Sequence, residues 1–243
     1  MKTIAILIIK ALLTSLLAFG NSHAEVIRSI GDVHSVNDGK LIYREHHTFS
    51  KLSEDEYTLT EYKTIDGKLI ASRKVDFQNG YASGYVFEQP ELNIRTEVKR
   101  GKTDISYLSI QGSEKVSKSY ALKDIETAII SAGMFNAVER NWGALESGKA
   151  VTFNLLVPDK ERTYSMRLKR IKIEGSNLSK YLPTAGNISF ELKINNGFLR
   201  LLVPAIELGY DADSRQLVFY QGPSNLKKSD GGKIGEIWIT YKN

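Results

Sequence analysis

The feature that most constrains this chain is a long series of short β-prone runs separated by turn residues. Tyr57 and Leu59 alternate with Thr58 and Thr60, within a run from Glu56 to Ile65. Such a period of two places successive side chains on opposite faces of a strand. Asp66-Gly67 stands between that run and the next, Lys68 to Phe77. An Asp-Gly pair between two strand-like runs favours a tight hairpin with positive φ at both turn residues. Lys40 to Phe49 precedes them, and Asn79-Gly80 opens a turn into Ala82 to Glu88, which Pro90 ends. Glu91 to Lys99 and Lys102 to Ile110 flank Arg100-Gly101, a further hairpin. In the second half, Ala150 to Val157 and Thr163 to Ile173 flank a Pro158–Glu161 turn. Asn187 to Ile194 and Phe198 to Leu208 flank Asn195-Asn196-Gly197, and Pro204 bends the second of these. Arg215 to Tyr220 and Lys233 to Tyr241 complete the strands.

One segment has a different period. Leu122, Ile125, Ile129, Ala132, Phe135 and Val138 recur at spacings of three and four, which predicts a helix from Tyr120 to about Val138. Ser119 is its expected N-cap, Asp124 and Glu126 suit its first turn, and Gly133 kinks it or ends it early. Hairpins in series form a meander, and a long meander curls to limit its edges. The expected fold is therefore mostly β: a single strongly curved antiparallel sheet of about ten or eleven strands, a barrel or half-barrel, with one main helix covering it. A two-lobed arrangement divided near residues 140 to 150 is the alternative.

The first 24 residues belong to a different kind of segment. Lys2 precedes an apolar stretch from Ile4 to Phe19, and Ser22 and Ala24 supply small residues three and one positions before Glu25. This is the pattern of a cleavable secretory signal, cut between Ala24 and Glu25. Lys10 splits the apolar run below the roughly 20 residues that a span requires. The expected organisation is a signal over 1–24 and one β-rich domain over 25–243. The chain has no cysteine, which excludes disulfides, thiolate metal sites and the lipidated cysteine of a bacterial lipoprotein. An exported chain of this size without disulfides suits a bacterial periplasm. Of its 33 lysines and arginines against 28 acids, Lys2 and Lys10 fall in the signal, leaving a small positive excess. That balance gives no reason to expect a nucleic-acid partner. No later run is long enough to make the remainder membrane-spanning.

Local chemistry is sparse. After the signal there are three histidines, His34, His46 and His47. The adjacent pair points to opposite faces of a strand, so it does not form one metal site. No motif pairs a nucleophile with a base, and no glycine-rich nucleotide loop occurs, so no catalytic residue, metal ligand or cofactor is assigned. Two features point to binding. Arg167, Lys169, Arg170 and Lys172 fall in one strand, with Arg167 and Lys169 on one face and Arg170 and Lys172 on the other. They form either a solvated edge guard or a patch for anionic headgroups. Aromatic residues, Trp142 and Phe153 among them, are spread over most strands, either as ordinary core or as the walls of an apolar concavity. Arg167, Arg170, Trp142 and Phe153 are thus the candidate ligand-binding residues.

The stretches Tyr210 to Asn225, Ile237 to Tyr241, Leu41 to His46 and Thr64 to Ala71 resemble segments of uncharacterised exported β-rich bacterial proteins. In architecture the pattern is similar to periplasmic lipoprotein carriers of the LolA/LolB type, half-barrels closed by helices. The resemblance implies an envelope protein, and no functional residue carries over. Three functions follow as expectations. The first is a soluble periplasmic carrier for a lipid, a lipoprotein-like ligand or another amphiphile. The second is an interaction or scaffold protein that offers a sheet edge or face to an envelope protein. The third is a hydrolase without a recognisable motif, with His46 or His47 as the residue to test. N-terminal sequencing of protein recovered from the periplasm should begin at Glu25. An intact Met1 there would overturn the signal.

Overall fold

In the computed structural model of this chain, the described residues are 25–52, 55–121, 129–130, 133–157, 162–174, 176–196 and 204–242. The signal expected over 1–24 lies outside them. Among the described residues, fifteen strands form one sheet. In chain order the first eight are β1 (Glu25–Ser35), β2 (Leu41–Leu52), β3 (Asp55–Lys63), β4 (Leu69–Gln78), β5 (Tyr81–Gln89), β6 (Ile94–Arg100), β7 (Asp104–Gln111) and β8 (Glu114–Ala121). They are followed by β9 (Ile129–Ile130), two short helices, α1 (Met134–Arg140) and α2 (Trp142–Glu146), and β10 (Val151–Val157). The last five are β11 (Arg162–Ile171), β12 (Asn187–Ile194), β13 (Ile206–Asp211), β14 (Leu217–Pro223) and β15 (Glu236–Lys242).

The spatial order places β1 and β15 side by side in the middle, with β2 to β8 fanning out one way and β14 to β9 the other. Every pairing is antiparallel except that of the two-residue β9 with β10. The first and last strands are clamped by Asp32, which accepts hydrogen bonds from Lys242 Nζ at 2.6 Å and Arg44 Nε at 2.9 Å. The Lys242 hydrogen bond, partly opposed by burial, holds the Asp32 carboxyl below the ordinary range, and Arg44 adds to the shift.

Turn chemistry explains the hairpins, with one exchange of roles. Asn79 and Gly80 both have positive φ (53° and 71°) and form the two-residue turn between β4 and β5. At the Asp66-Gly67 hairpin only Gly67 does (φ 93°). There the Gly67 N–H donates to Thr64 O at 2.9 Å, and Lys68 N–H donates to the Thr64 hydroxyl at 2.9 Å. The loop is thus one residue longer than a two-residue turn, with a register shift at Tyr62/Lys63. Strand β1 was not anticipated, because its sequence follows directly on the expected signal. Strand β8, Glu114 to Ala121, was also missed; it is exposed on most of its residues and lacks apolar alternation.

The helix expected from Tyr120 to Val138 is not formed as such. Ser119 and Tyr120 belong to β8, Ile129 and Ile130 are strand, and α1 begins only at Met134, with Gly133 as its N-cap. Residues 122–128 lie outside the described set. The physical reason is tertiary. The β-branched Ile129-Ile130 pair is taken into the ladder beside Leu155 and Leu156. At Gly133 the backbone passes so close to β5 that an added Cβ would sit 2.9 Å from the Ala82 Cβ. Among the described residues two short helices stand where a single covering helix is expected, and the strands number more than the expected ten or eleven. Of the expected Phe198–Leu208 strand, residues 198–203 lie outside the described set, and β13 begins at Ile206.

Among the described residues the two ends of the sheet do not hydrogen-bond to each other, so no ladder between them closes the barrel. They meet through side chains. Ile130 of β9 and Leu156 of β10 pack with Val98 of β6 and Ile105 and Tyr107 of β7, all of them buried. The larger core lies on the concave face, where Trp142 of α2 is wedged edge-on against Phe190 and Tyr210, with ring centroids 5.4 and 5.5 Å away. On the convex face the Leu178–Leu182 segment covers Phe219, and Tyr181 stacks on Trp238 at 4.4 Å. Leu156→Ala should cost about 2–5 kcal/mol in denaturant unfolding, as a large-to-small change in a packed core does. A loss below about 1 kcal/mol would show that the seam does not hold the sheet ends together.

Candidate functional site

The concave face is only partly filled. The helices pack over β11 to β14, and a cavity of about 300 Å³ remains between them and the strands on the other side. That volume is at the lower end of the range for small-molecule sites. Its apolar walls include Phe87, Met134, Phe135, Leu155, Ile237 and Ile239. Met134 and Phe135 come from α1, and Phe135 meets Tyr220 edge-on at 6.4 Å. Pro223 and Asn225, both exposed, mark where the cavity meets the surface.

Into these walls the alternation of three strands inserts polar groups. In β2, Tyr43, Glu45 and His47 share the inward phase, so Glu45 is buried (5 % exposed) despite its charge. His46 has the opposite phase, as expected from its position. In β4, Ala71, Arg73 and Val75 share the inward phase, and Arg73 stands between two buried apolar neighbours. Strand β15 adds Tyr241 beside His47, ring centroids 5.5 Å apart. Glu45, His47, Arg73, Tyr85, Tyr220 and Tyr241 all line the cavity.

Glu45 and His47 are mutually satisfied. Glu45 Oε2 lies 3.0 Å from His47 Nε2, and His47 Nδ1 lies 3.1 Å from the Thr60 hydroxyl. With Nε2–H donating to Glu45, Nδ1 is left to accept from Thr60, so every group in the chain has a partner. The sequence acid–histidine–hydroxyl has the connectivity of a nucleophilic triad. However, Thr60 is buried (1 % exposed) and does not line the cavity, so its hydroxyl is not presented to a substrate there. The chain instead fixes the Glu45 and His47 side chains in the wall.

Arg73 is not satisfied in this way. Its Nε is buried without a hydrogen-bond partner. Among the described residues no ion pair engages it, and the Glu45 carboxylate is taken up by His47. Desolvation works against its charge, but the fields of Tyr62 and then Glu45 outweigh it, so the guanidinium pKa is raised. The phenols around it are neutral donors. Burial pushes Tyr62 up to about 12 and raises Tyr220 and Tyr241 as well. An arginine left partly unpaired in an apolar cavity costs stability unless something supplies the acceptors.

The residues singled out from sequence lie elsewhere. Arg167 is on the convex face with Lys169, Glu191 and Lys193, where Glu191 engages both lysines. Arg170 has the other phase and donates from Nη1 to Glu146 O at 2.8 Å, at the C-terminal end of α2. Trp142 is core, with Arg215 5.4 Å above its ring, and Phe153 packs on the same core. The structure does not bring these four together. Of the polar cluster at the cavity, the sequence points only to His47. The only signal of the rest is a charge placed in the apolar phase of an alternating strand, as in Ala71-x-Arg73-x-Val75.

No family model matches this chain, and no curated protein matches its sequence. A solved structure that resembles it is a β-barrel-like protein of a domain of unknown function, DUF1849, from Brucella abortus. The likeness covers 89% of this chain and 95% of that one, at 9% identity and a TM-score of 0.43.

Replacing Arg73 by Met removes a half-buried guanidinium whose Nε lacks a partner and keeps most of its volume. Arg73→Met should leave unfolding stability unchanged or raise it by about 1 kcal/mol or more. A loss of several kcal/mol in denaturant titration would mean that the guanidinium serves the fold and not a ligand.

Proposed function

We propose that this chain is a binding protein for an amphiphile, working outside the cytoplasm after export. The observation that carries the reading is the cavity of about 300 Å³ on the concave face, with apolar walls and a half-buried Arg73 whose buried Nε lacks a partner. A ligand that buries a chain against Phe87, Phe135, Ile237 and Ile239 gains hydrophobic free energy from every apolar area it covers. A polar end at Arg73 supplies what the protein itself leaves out. Among the described residues no helix is long and apolar enough to cross a membrane.

A second reading, an interaction protein that offers a sheet edge, has one observation in its favour. Strand β8 ends the sheet and is largely exposed. Lys115 and Lys118 lie on it, and lysines on an edge strand usually discourage pairing. That weighs toward the cavity.

Native mass spectrometry of the full chain purified from the periplasm should show an adduct of a few hundred daltons. Organic extraction should release it as a chain-bearing amphiphile. Protein that is ligand-free by this measure, and that also fails to take up dodecanoate or dodecanol when offered, would overturn the carrier reading. Crosslinking through β8 to one envelope protein would then support the edge reading.

A further inference from the structure

We infer that the cavity selects an amphiphile whose head carries a single negative charge, such as a carboxylate, seated on Arg73 and kept from being a dianion by Glu45. The inference rests on the amphiphile-binding reading and names the chemistry of its ligand.

The argument begins with the charges that face the cavity. Arg73 supplies the cation from β4, and Glu45 supplies the carboxylate from β2. His47, held between Glu45 at 3.0 Å and Thr60 at 3.1 Å, has both ring nitrogens occupied. Tyr85, Tyr220 and Tyr241 supply phenols from β5, β14 and β15. Of these phenols, Tyr220 already donates to Pro223 O at 3.0 Å. Among the described residues that line the cavity, Arg73 Nε is the one buried side-chain donor without a hydrogen-bond partner. A guanidinium presents a planar fork of donors that matches the two oxygens of a carboxylate.

The head must be anionic, because a cationic head would meet Arg73 in a poorly screened space. A neutral hydroxyl head supplies only one acceptor and no charge, so it gains less. The head must also carry no second negative charge. The Glu45 carboxylate lines the same cavity, and its field reaches Arg73. A carboxylate places both of its oxygens on the guanidinium fork, whereas a dianionic phosphate carries a further charged oxygen that the fork does not reach and that faces the Glu45 field without a donor to offset it. Glu45 is held in that position by His47 and cannot swing away without breaking the 3.0 Å contact.

Four probes with the same twelve-carbon chain separate the terms: dodecanoate, dodecanol, dodecyltrimethylammonium and dodecyl phosphate. Titration calorimetry or fluorophore displacement is run on the full chain at pH 8, where the phosphate ester is mostly a dianion because its second pKa is about 6. Dodecanoate should bind at least about tenfold tighter than dodecyltrimethylammonium and dodecyl phosphate, and tighter than dodecanol, as a charge-assisted contact predicts. Arg73→Met, and Arg73→Gln as a polar variant of similar reach, should weaken dodecanoate about tenfold or more and leave dodecanol unchanged. Glu45→Gln should raise dodecyl phosphate affinity toward that of dodecanoate, with an unaltered circular dichroism spectrum confirming the fold. If all four probes bind within about threefold of one another, or the Arg73 variants hold dodecanoate as tightly as the parent, the head-group inference is overturned while the amphiphile reading stands. If none of the four binds, the amphiphile reading falls, and this inference with it.

Discussion

A fifteen-stranded sheet that curls without closing has two ends, and the free energy of this fold depends on how those ends are hidden. A ladder between them would have satisfied their backbone groups. Instead Ile130 and Leu156 press into Val98, Ile105 and Tyr107, and the seam is apolar. Such a seam is non-directional, and it tolerates a mismatch of register that a hydrogen-bonded closure would not. It also fixes the curvature. With β9 and β10 drawn against β6 and β7, the helices that connect β9 to β10 are carried onto the concave face. There they fill one half of the interior and leave the other half open.

The open half is where stability and binding pull in opposite directions. A wall made only of Phe87, Ile237 and Ile239 would collapse or be filled by larger side chains at little cost. Placing Glu45, His47 and Arg73 in the inward phase keeps the space polar enough to resist that. The acid and the histidine satisfy each other through Thr60, while the arginine is left with an unmet donor. Buried polar groups that are half-satisfied are costly in a purely structural role. Their presence together in one cavity is the physical basis for reading it as a site.

Much of the fold was legible in the sequence because turn chemistry and period-two alternation are local. Asn79-Gly80, Asp66-Gly67 and Arg100-Gly101 all mark hairpins, even though the loop at Gly67 is longer than a two-residue turn. The opposite orientations of His46 and His47, and of Arg167 and Arg170, follow from the same alternation. The helix was misplaced because spacings of three and four also arise by chance in a chain rich in apolar residues. At Ile129-Ile130 the competing preference, β-branched side chains beside an available strand, prevailed. The candidate site was mostly illegible. Arg167 and Arg170 are crowded along one strand, yet alternation places them on opposite faces, one beside Glu191 and one at the end of α2.

By itself, then, the sequence determined the class: an antiparallel meander with no cysteine chemistry and no long apolar helix among its strands, because each hairpin is specified by residues that touch each other along the chain. Only the tertiary structure decided that Glu45, Arg73 and Tyr241 would share one cavity. Glu45 and Arg73 lie two strands apart, and Tyr241 comes from the far end of the chain. They meet because β1 pairs with β15 and the sheet then curls until its ends touch. Curvature of that kind is set by packing across the whole sheet, and no local pattern of residues encodes it.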